Sequence, residues 1–296
     1  MKAVTVAESR SATGVADLAT LVKARLTFLV LITTLVGFLV GTTGGIDGAL
    51  LAATLTGAAL SACGASALNQ WWERGIDARM KRTLDRPLPS GRMHEADALS
   101  LGVLLSAAGV ATLALLVNPL SASLSAATIA IYVFVYTPLK QVTSLNTLVG
   151  AIPGAIPPLI GWTGAGGALT VEAWILFGIM FLWQMPHFLA IAWMYRDEYA
   201  AAGFEMLSKH DLHGYATARQ SVIYSLALLA VSLLPSMLHL TSAAYFFGAF
   251  LLGAGFLACA VRFGALRNRG AARLLFFASI VYLPLLLGLL VATRVR

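Results

Sequence analysis

Long apolar runs separated by short polar breaks dominate the chain. A helix needs about 20 apolar residues to cross ~30 Å of hydrocarbon. Nine runs of that order are predicted, at about 22–41, 49–71, 96–117, 121–139, 145–163, 172–195, 217–238, 242–262 and 272–293. Of the 296 residues, 59% are hydrophobic and only 11% are charged. A soluble domain would be about 25% charged, so the pattern predicts an all-α, multi-pass membrane protein. The net charge of +7 is then a property of the loops and not a sign of nucleic-acid binding. The two cysteines, Cys63 and Cys259, lie inside apolar runs, which leaves no disulfide framework and no Cys-x-x-Cys metal site.

Basic residues set the topology, because Lys and Arg collect in cytoplasmic loops. With the N-terminus in the cytoplasm, nine spans put every one of the 20 Lys and Arg residues on that side except Arg294 and Arg296. The C-terminus is then outside. All 13 acidic residues except Asp47 and Glu172 fall on the same side. The positive-inside rule does not require this of acids, whereas a cytoplasm-facing site built from carboxylates and cations does. Charge balancing in long loops is the plainer alternative. Residues 1–21 are mixed and polar, without the apolar core of a secretory signal. They read as a mobile N-terminal tail before a single polytopic domain, 22–296.

The densest chemistry lies in Asn69-Gln-Trp-Trp-Glu73-Arg-Gly-Ile-Asp77-Ala-Arg-Met-Lys81-Arg82-Thr-Leu-Asp85-Arg86-Pro-Leu-Pro-Ser-Gly91. Asn69, Glu73, Asp77 and Lys81 are four apart and share one helical face. Carboxylate and amide oxygens suit a hard divalent cation such as Mg²⁺. The Lys and Arg residues that follow suit phosphate oxygens. Together they have the makings of a diphosphate site, though a charged loop that only sets topology has the same composition.

Two other stretches carry polar or helix-bending residues into apolar runs. The fifth run contains Gly150-Ala-Ile-Pro153-Gly154-Ala-Ile-Pro157-Pro158-Leu-Ile-Gly161-Trp162, which predicts a bent helix beside a central cavity. In the sixth, Trp183-Gln-Met-Pro186-His187-Phe188 precedes Tyr195-Arg196-Asp197-Glu198-Tyr199. If one helix runs through Tyr199, His187 and Glu198 share a face, and Glu198 is favoured over Asp197 as the metal-facing acid. Ionisable residues at membrane depth usually face the bundle interior. The loop that follows holds Lys209, His210 and His213, either a flap over a diphosphate or a solvated connector. The last three runs look like lipid-facing scaffold.

In order along the chain, these motifs resemble the intramembrane UbiA-type prenyltransferases. The resemblance rests on Asn69-x₃-Glu73-x₃-Asp77, Met80-x-Arg82-Thr83-x₂-Arg86-Pro-Leu-Pro-Ser-Gly91 and Tyr136-Thr137-Pro138-x-Lys140. It extends to the proline-rich fifth run, Trp183-Gln-x-Pro-His187-Phe188 and Tyr199-x₂-Ala202-Gly203-x₂-Met206-Leu207. The spelling is most similar to the branch of protohaem IX farnesyltransferases. That resemblance implies nine transmembrane helices around a central cavity in a bacterial cytoplasmic membrane, with the active site facing the cytoplasm. It implies farnesyl transfer from farnesyl diphosphate to a vinyl group of haem B, giving haem O and diphosphate, with Mg²⁺ as cofactor. It further implies a downstream haem A synthase or terminal oxidase as recipient of the product. By position, Asn69, Glu73, Asp77 and Glu198, with Asp197 as second choice, would bind metal. Lys23, Arg25, Lys81, Arg82, Arg86, Tyr136, Lys140, Arg196, Tyr199 and Lys209 would serve the diphosphate or the haem, and His187 the haem or a water. The chain departs from the family pattern where Ala24 replaces a proline between Lys23 and Arg25. It departs again where Ala201 and Ala202 stand in place of a second acid four residues after Asp197 and Glu198. A quinone-pathway aromatic prenyltransferase, a transporter and a non-catalytic haem-binding protein are the competing readings.

Overall fold

The computed structural model describes residues 14–295. The predicted tail therefore lies outside the described residues up to position 13, as do Lys2, Glu8, Arg10 and Arg296. The remainder of that predicted tail is ordered as helix α1 (Gly14–Leu21), with Asp17 and Leu21 buried. There follow α2 (Ala24–Gly41), α3 (Gly48–Asp77), α4 (Glu95–Leu116), α5 (Pro119–Ala130), a π-helical segment Ile131–Tyr136, and α6 (Thr137–Leu139). Next come α7 (Asn146–Ala155), α8 (Pro157–Gly164), α9 (Val171–Met194), α10 (Arg196–Ala202) and α11 (Leu207–His210). The chain closes with α12 (Tyr215–Met237), α13 (Ala243–Leu266) and α14 (Arg269–Ala292). The only β-pairing among the described residues is an isolated bridge between Thr241 and Arg294.

Among the described residues, eight stretches are long and apolar enough to cross a membrane: α2, α3, α4, the continuous run Pro119–Leu139, α9, α12, α13 and α14. The predicted fifth span is not one helix. It is divided into α7 and α8 around Ile156, because Pro157 and Pro158 open α8 and bring no N–H to bond back into α7. The largest apolar core joins α9, α12, α13 and α14 to α2 and α8, with Leu159, Ile179, Leu228, Phe263 and Leu286 almost fully enclosed. The last three long helices thus supply core as well as a lipid-facing surface. Asp47, Asn118 and Asn268 cap α3, α5 and α14 through side-chain oxygens that accept backbone N–H bonds.

Two glycines let the broken helix sit against α2. A Cβ on Gly37 would lie 2.0 Å from the Pro158 carbonyl oxygen, and one on Gly161 would lie 1.9 Å from the Thr34 carbonyl oxygen. Such small-residue contacts hold helices together where lipid removes the hydrophobic driving force between them. Both obstacles are backbone, so neither can swing aside. Gly37→Val and Gly161→Val should each cost about 3 kcal/mol or more as overpacking. Gly288→Ala, with nothing within 4 Å of its added methyl, should leave stability level or slightly raised. Thermal unfolding in detergent checks this, and equal melting points for all three variants would contradict the close crossing.

Candidate functional site

The last two turns of α3 carry Asn69, Glu73 and Asp77 inward on one face, at 0%, 4% and 3% exposure. Buried carboxylates demand partners; two segments deliver them, and a third brings Lys23 to Asn69. Lys140, just beyond α6, donates from Nζ to Glu73 Oε1 at 2.7 Å. Arg86 donates from Nη1 to Asp77 Oδ2 at 2.7 Å. Lys23 donates from Nζ to Asn69 Oδ1 at 2.6 Å and to the Tyr132 hydroxyl at 3.1 Å. Lys23 holds a left-handed backbone (φ 49°, ψ 54°) at the joint of α1 and α2. For a residue with a side chain that conformation costs on the order of 1–3 kcal/mol and tends to occur where function needs it.

Each carboxylate keeps one oxygen free. Lys140 takes only Oε1 of Glu73 and Arg86 only Oδ2 of Asp77, leaving Glu73 Oε2 and Asp77 Oδ1 without a hydrogen-bond donor among the described residues. Burial would push the Lys140 ammonium toward its neutral form. Glu73 beside it outweighs that and holds Lys140 charged well above the usual lysine range. The ammonium also lies 4.5 Å from the Tyr136 ring centre. Arg82 donates to the Tyr199 hydroxyl at 3.0 Å and sits over the rings of Tyr195 and Tyr199.

These groups line a polar pocket of about 110 Å³. Of the residues expected there, Lys23, Glu73, Asp77, Arg82, Arg86, Tyr136, Lys140 and Tyr199 line it. Its roof is a small apolar cluster in which Met80, Ala202 and Phe204 pack with Tyr199 and Met206. The Glu205 N–H, which donates to the Lys140 carbonyl at 2.7 Å, ties that roof down. Thr83 lines the pocket too, and its hydroxyl bonds the Asp77 carbonyl at 2.8 Å. Spacing from the acidic face did not single out Met80, Thr83, Phe204 or Met206, because a loop and not a helix returns them to the site. Tyr136 is shared with a second, apolar chamber of about 260 Å³ deeper in the bundle, lined by Val30, Ile129, Pro153, Pro157, Gln184 and Phe188 among others.

Other expected residues stand elsewhere. Asn69 lies beneath the pocket, its Oδ1 taken by Lys23 and its Nδ2 donating to Thr137 Oγ1 at 3.0 Å. It therefore orients a cation instead of offering an oxygen to a metal. Arg25 and Lys81 are exposed outside the pocket. Lys209 and His210 are spent on Glu205 in their own loop. The shared face of His187 and Glu198 does not form, since α9 ends at Met194 and Tyr195 (φ −115°, ψ 23°) separates it from α10. His187 instead faces α14, with Nδ1 2.7 Å from the Ser279 hydroxyl and its ring stacked between Trp183 and Phe276. Asp197 is 96% exposed along its side chain and 3.7 Å from Arg196. Glu198 Oε2 is buried with no hydrogen-bond partner. No group of three or more His, Cys, Asp or Glu gathers as for a metal among the described residues.

An arrangement of paired acids and cations above an apolar chamber, within a helical membrane bundle, can be compared with known proteins. The sequence profile of the UbiA prenyltransferase family matches residues 30–281. The protoheme IX farnesyltransferase of Solibacter usitatus (strain Ellin6076) is 47% identical over 287 residues, covering 94% of this chain and 98% of its own. The protein of the same name from Opitutus terrae is 45% identical over 280 residues, covering 94% of each. A UbiA homologue from Archaeoglobus fulgidus, solved bound to GPP and Mg²⁺, superposes with a TM-score of 0.66 at 13% identity, over 93% of this chain and 99% of its own. By profile and by relatives of nearly equal length, the chain belongs to the UbiA prenyltransferase family.

Proposed function

We propose that the protein transfers a farnesyl group from farnesyl diphosphate to a vinyl group of haem B, giving haem O and diphosphate. The observation that carries this reading is the pocket itself, with two buried carboxylates, four cations and an apolar chamber directly below. Relatives named protoheme IX farnesyltransferase support the choice of acceptor. The whole of 22–296 acts as one polytopic domain in a bacterial cytoplasmic membrane. With α7 and α8 crossing together, the bundle has nine spans, N-terminus inside, C-terminus outside and the polar pocket open to the cytoplasm. The distribution of Lys and Arg supports that orientation. Haem O would pass to a haem A synthase or to terminal oxidase assembly.

Glu73 and Asp77, each with one oxygen that accepts no hydrogen bond among the described residues, are the pocket residues that would hold Mg²⁺, a hard cation suited to carboxylate and diphosphate oxygens. Glu198 Oε2 is a buried oxygen without a partner, but it does not line that pocket. Glu198 is the better second acid, since Asp197 points away into solvent. When bound, the metal supplies Lewis-acid neutralisation of the leaving diphosphate. Lys23, Arg82, Arg86 and Lys140 hold the diphosphate oxygens and stabilise the charge that grows on them as the allylic C–O bond breaks. Asn69 positions Lys23. The apolar chamber takes the farnesyl tail and keeps water from the allylic cation, and the Tyr136 ring at its mouth faces that cation. The haem vinyl carbon then bonds to the farnesyl carbon. The adjacent carbon takes a hydroxyl from water, with loss of a proton. His187, held by Ser279 away from the pocket, serves as a positioning residue on the α14 side.

Release of diphosphate from farnesyl diphosphate, measured in detergent, tests this directly. Haem B should support it and 4-hydroxybenzoate should not, and chelation of divalent metal should stop it. Release driven by the aromatic acid alone would move the protein to quinone chemistry, and no release with either acceptor would revive transport or haem carriage. Glu73→Gln and Asp77→Asn should each lower the turnover of the folded protein at least 100-fold, about 2.7 kcal/mol or more, measured per mole of protein that elutes as a folded species. Lys140→Met should also destabilise the fold by about 3–5 kcal/mol, because it strands Glu73 as a buried charge. Adding Glu73→Gln to Lys140→Met should recover part of the lost melting temperature, and a further loss would contradict the pairing.

A further inference from the structure

Beside the polar pocket, and separate from it, an open groove of about 660 Å³ runs between the end of α9 and the start of α14. Tyr195, Arg269, Arg273, Phe276 and Phe277 line it. We propose that this groove holds the propionate edge of the acceptor haem, with Arg269 and Arg273 as its carboxylate-binding residues. The inference rests on the haem-farnesylating reading above.

The helix dipole disfavours the position of the two arginines. Arg269 opens α14 and Arg273 follows four residues later, so both cations lie in or beside the first turn, at the positive end of the helix dipole. Like charges at that spacing repel by a few tenths of a kcal/mol. The sequence has no Asp or Glu after Asp211, and neither arginine has a carboxylate within 4.0 Å among the described residues. Arg273 lies over the Phe277 ring, 5.5 Å from its centre. The positive-inside rule accounts for basic residues near the end of a span, but it does not specify that both should line one groove with Tyr195, Phe276 and Phe277. An incoming dianion would relieve both the repulsion and the unfavourable dipole.

The rest of the groove suits a flat apolar ligand. Phe276 stacks on His187 at 5.0 Å, and Ser279 on the same helix fixes that ring. At the other end, Tyr195 lies 5.3 Å under the Arg82 guanidinium, and Arg82 lines the polar pocket. One Tyr–Arg layer separates the groove from the reaction site. In haem B the two propionates occupy one edge of the macrocycle and the two vinyls lie toward the opposite edge. Gripping the propionates at Arg269 and Arg273 directs the vinyl edge past Tyr195 toward the farnesyl carbon. This arrangement selects an acceptor with carboxylates remote from its reacting carbon and works against small aromatic acids.

The test uses the full-length protein in detergent and reads binding as well as turnover. Haem B and its dimethyl ester, whose propionates are capped, are titrated by Soret absorbance. Wild type should bind haem B roughly tenfold or more tighter than the diester, the scale of one charge-assisted hydrogen bond. The double variant Arg269→Gln/Arg273→Gln should bind the two alike. Both side chains are exposed, and an unchanged melting temperature checks that the variant folds. In turnover, KM for haem should rise about tenfold while KM for farnesyl diphosphate stays put. Equal wild-type affinity for haem and diester would overturn the proposal, as would a variant that still discriminates. If the substitutions alter only retention of phosphatidylglycerol, the groove is a lipid site and the proposal also fails. Discrimination without haem turnover would sink the proposed reaction but keep the groove; turnover without discrimination would do the reverse.

Discussion

Two carboxylates buried at the C-terminal end of one long helix, α3, are the constraint to which the surrounding architecture answers. An unpaired acid at the position of Glu73 or Asp77 would cost several kcal/mol. The fold meets that cost with cations from three separate stretches of chain. Lys140 arrives from the end of the fourth apolar run, Arg86 from the loop after α3, and Lys23 from the joint of α1 and α2. The strained backbone at Lys23 and the cluster of Met80, Phe204 and Met206 serve to hold those cations in place. The same charges that stabilise the resting pocket are those a diphosphate would need.

Below the pocket the requirements reverse. A prenyl chain needs a dry apolar chamber, and a bundle of straight, closely packed helices would leave no room for one. The division of α7 from α8 at its proline pair, with Pro153 and Pro157 lining the chamber, opens that space. The Gly37 and Gly161 contacts keep the broken element tight against α2. Tyr136, at the end of the π-helical segment, belongs to both compartments. The widened helix carries the aromatic ring to the boundary between charge and hydrocarbon.

Much of this was legible in the sequence where a single helix carried the information. Asn69, Glu73 and Asp77 follow the helical period and do share a face, and the prolines of the fifth run do mark a distortion beside a cavity. What spacing missed were features set by breaks and by tertiary partners. No glycine or proline announces the interruption at Tyr195, so the shared face of His187 and Glu198 could not be seen to fail. Asn69 offers the right oxygen in the right place, but the arrival of Lys23 from 46 residues away commits it elsewhere. Ser279 sits in an apolar run with no sign that it fixes His187. Helix α1 was hidden in a polar stretch too short and too mixed to show a period.

The central claim is that one pocket, built on Glu73 and Asp77, joins a farnesyl chain to haem. The most direct measurement is mass spectrometry of the haem recovered after purified protein in detergent is given farnesyl diphosphate, ferrous haem B and Mg²⁺. The expected result is a haem heavier by one farnesyl group and one hydroxyl, formed by wild type and not by Asp77→Asn. Unmodified haem recovered from active-folded wild type, or the same product from the variant, would contradict the claim.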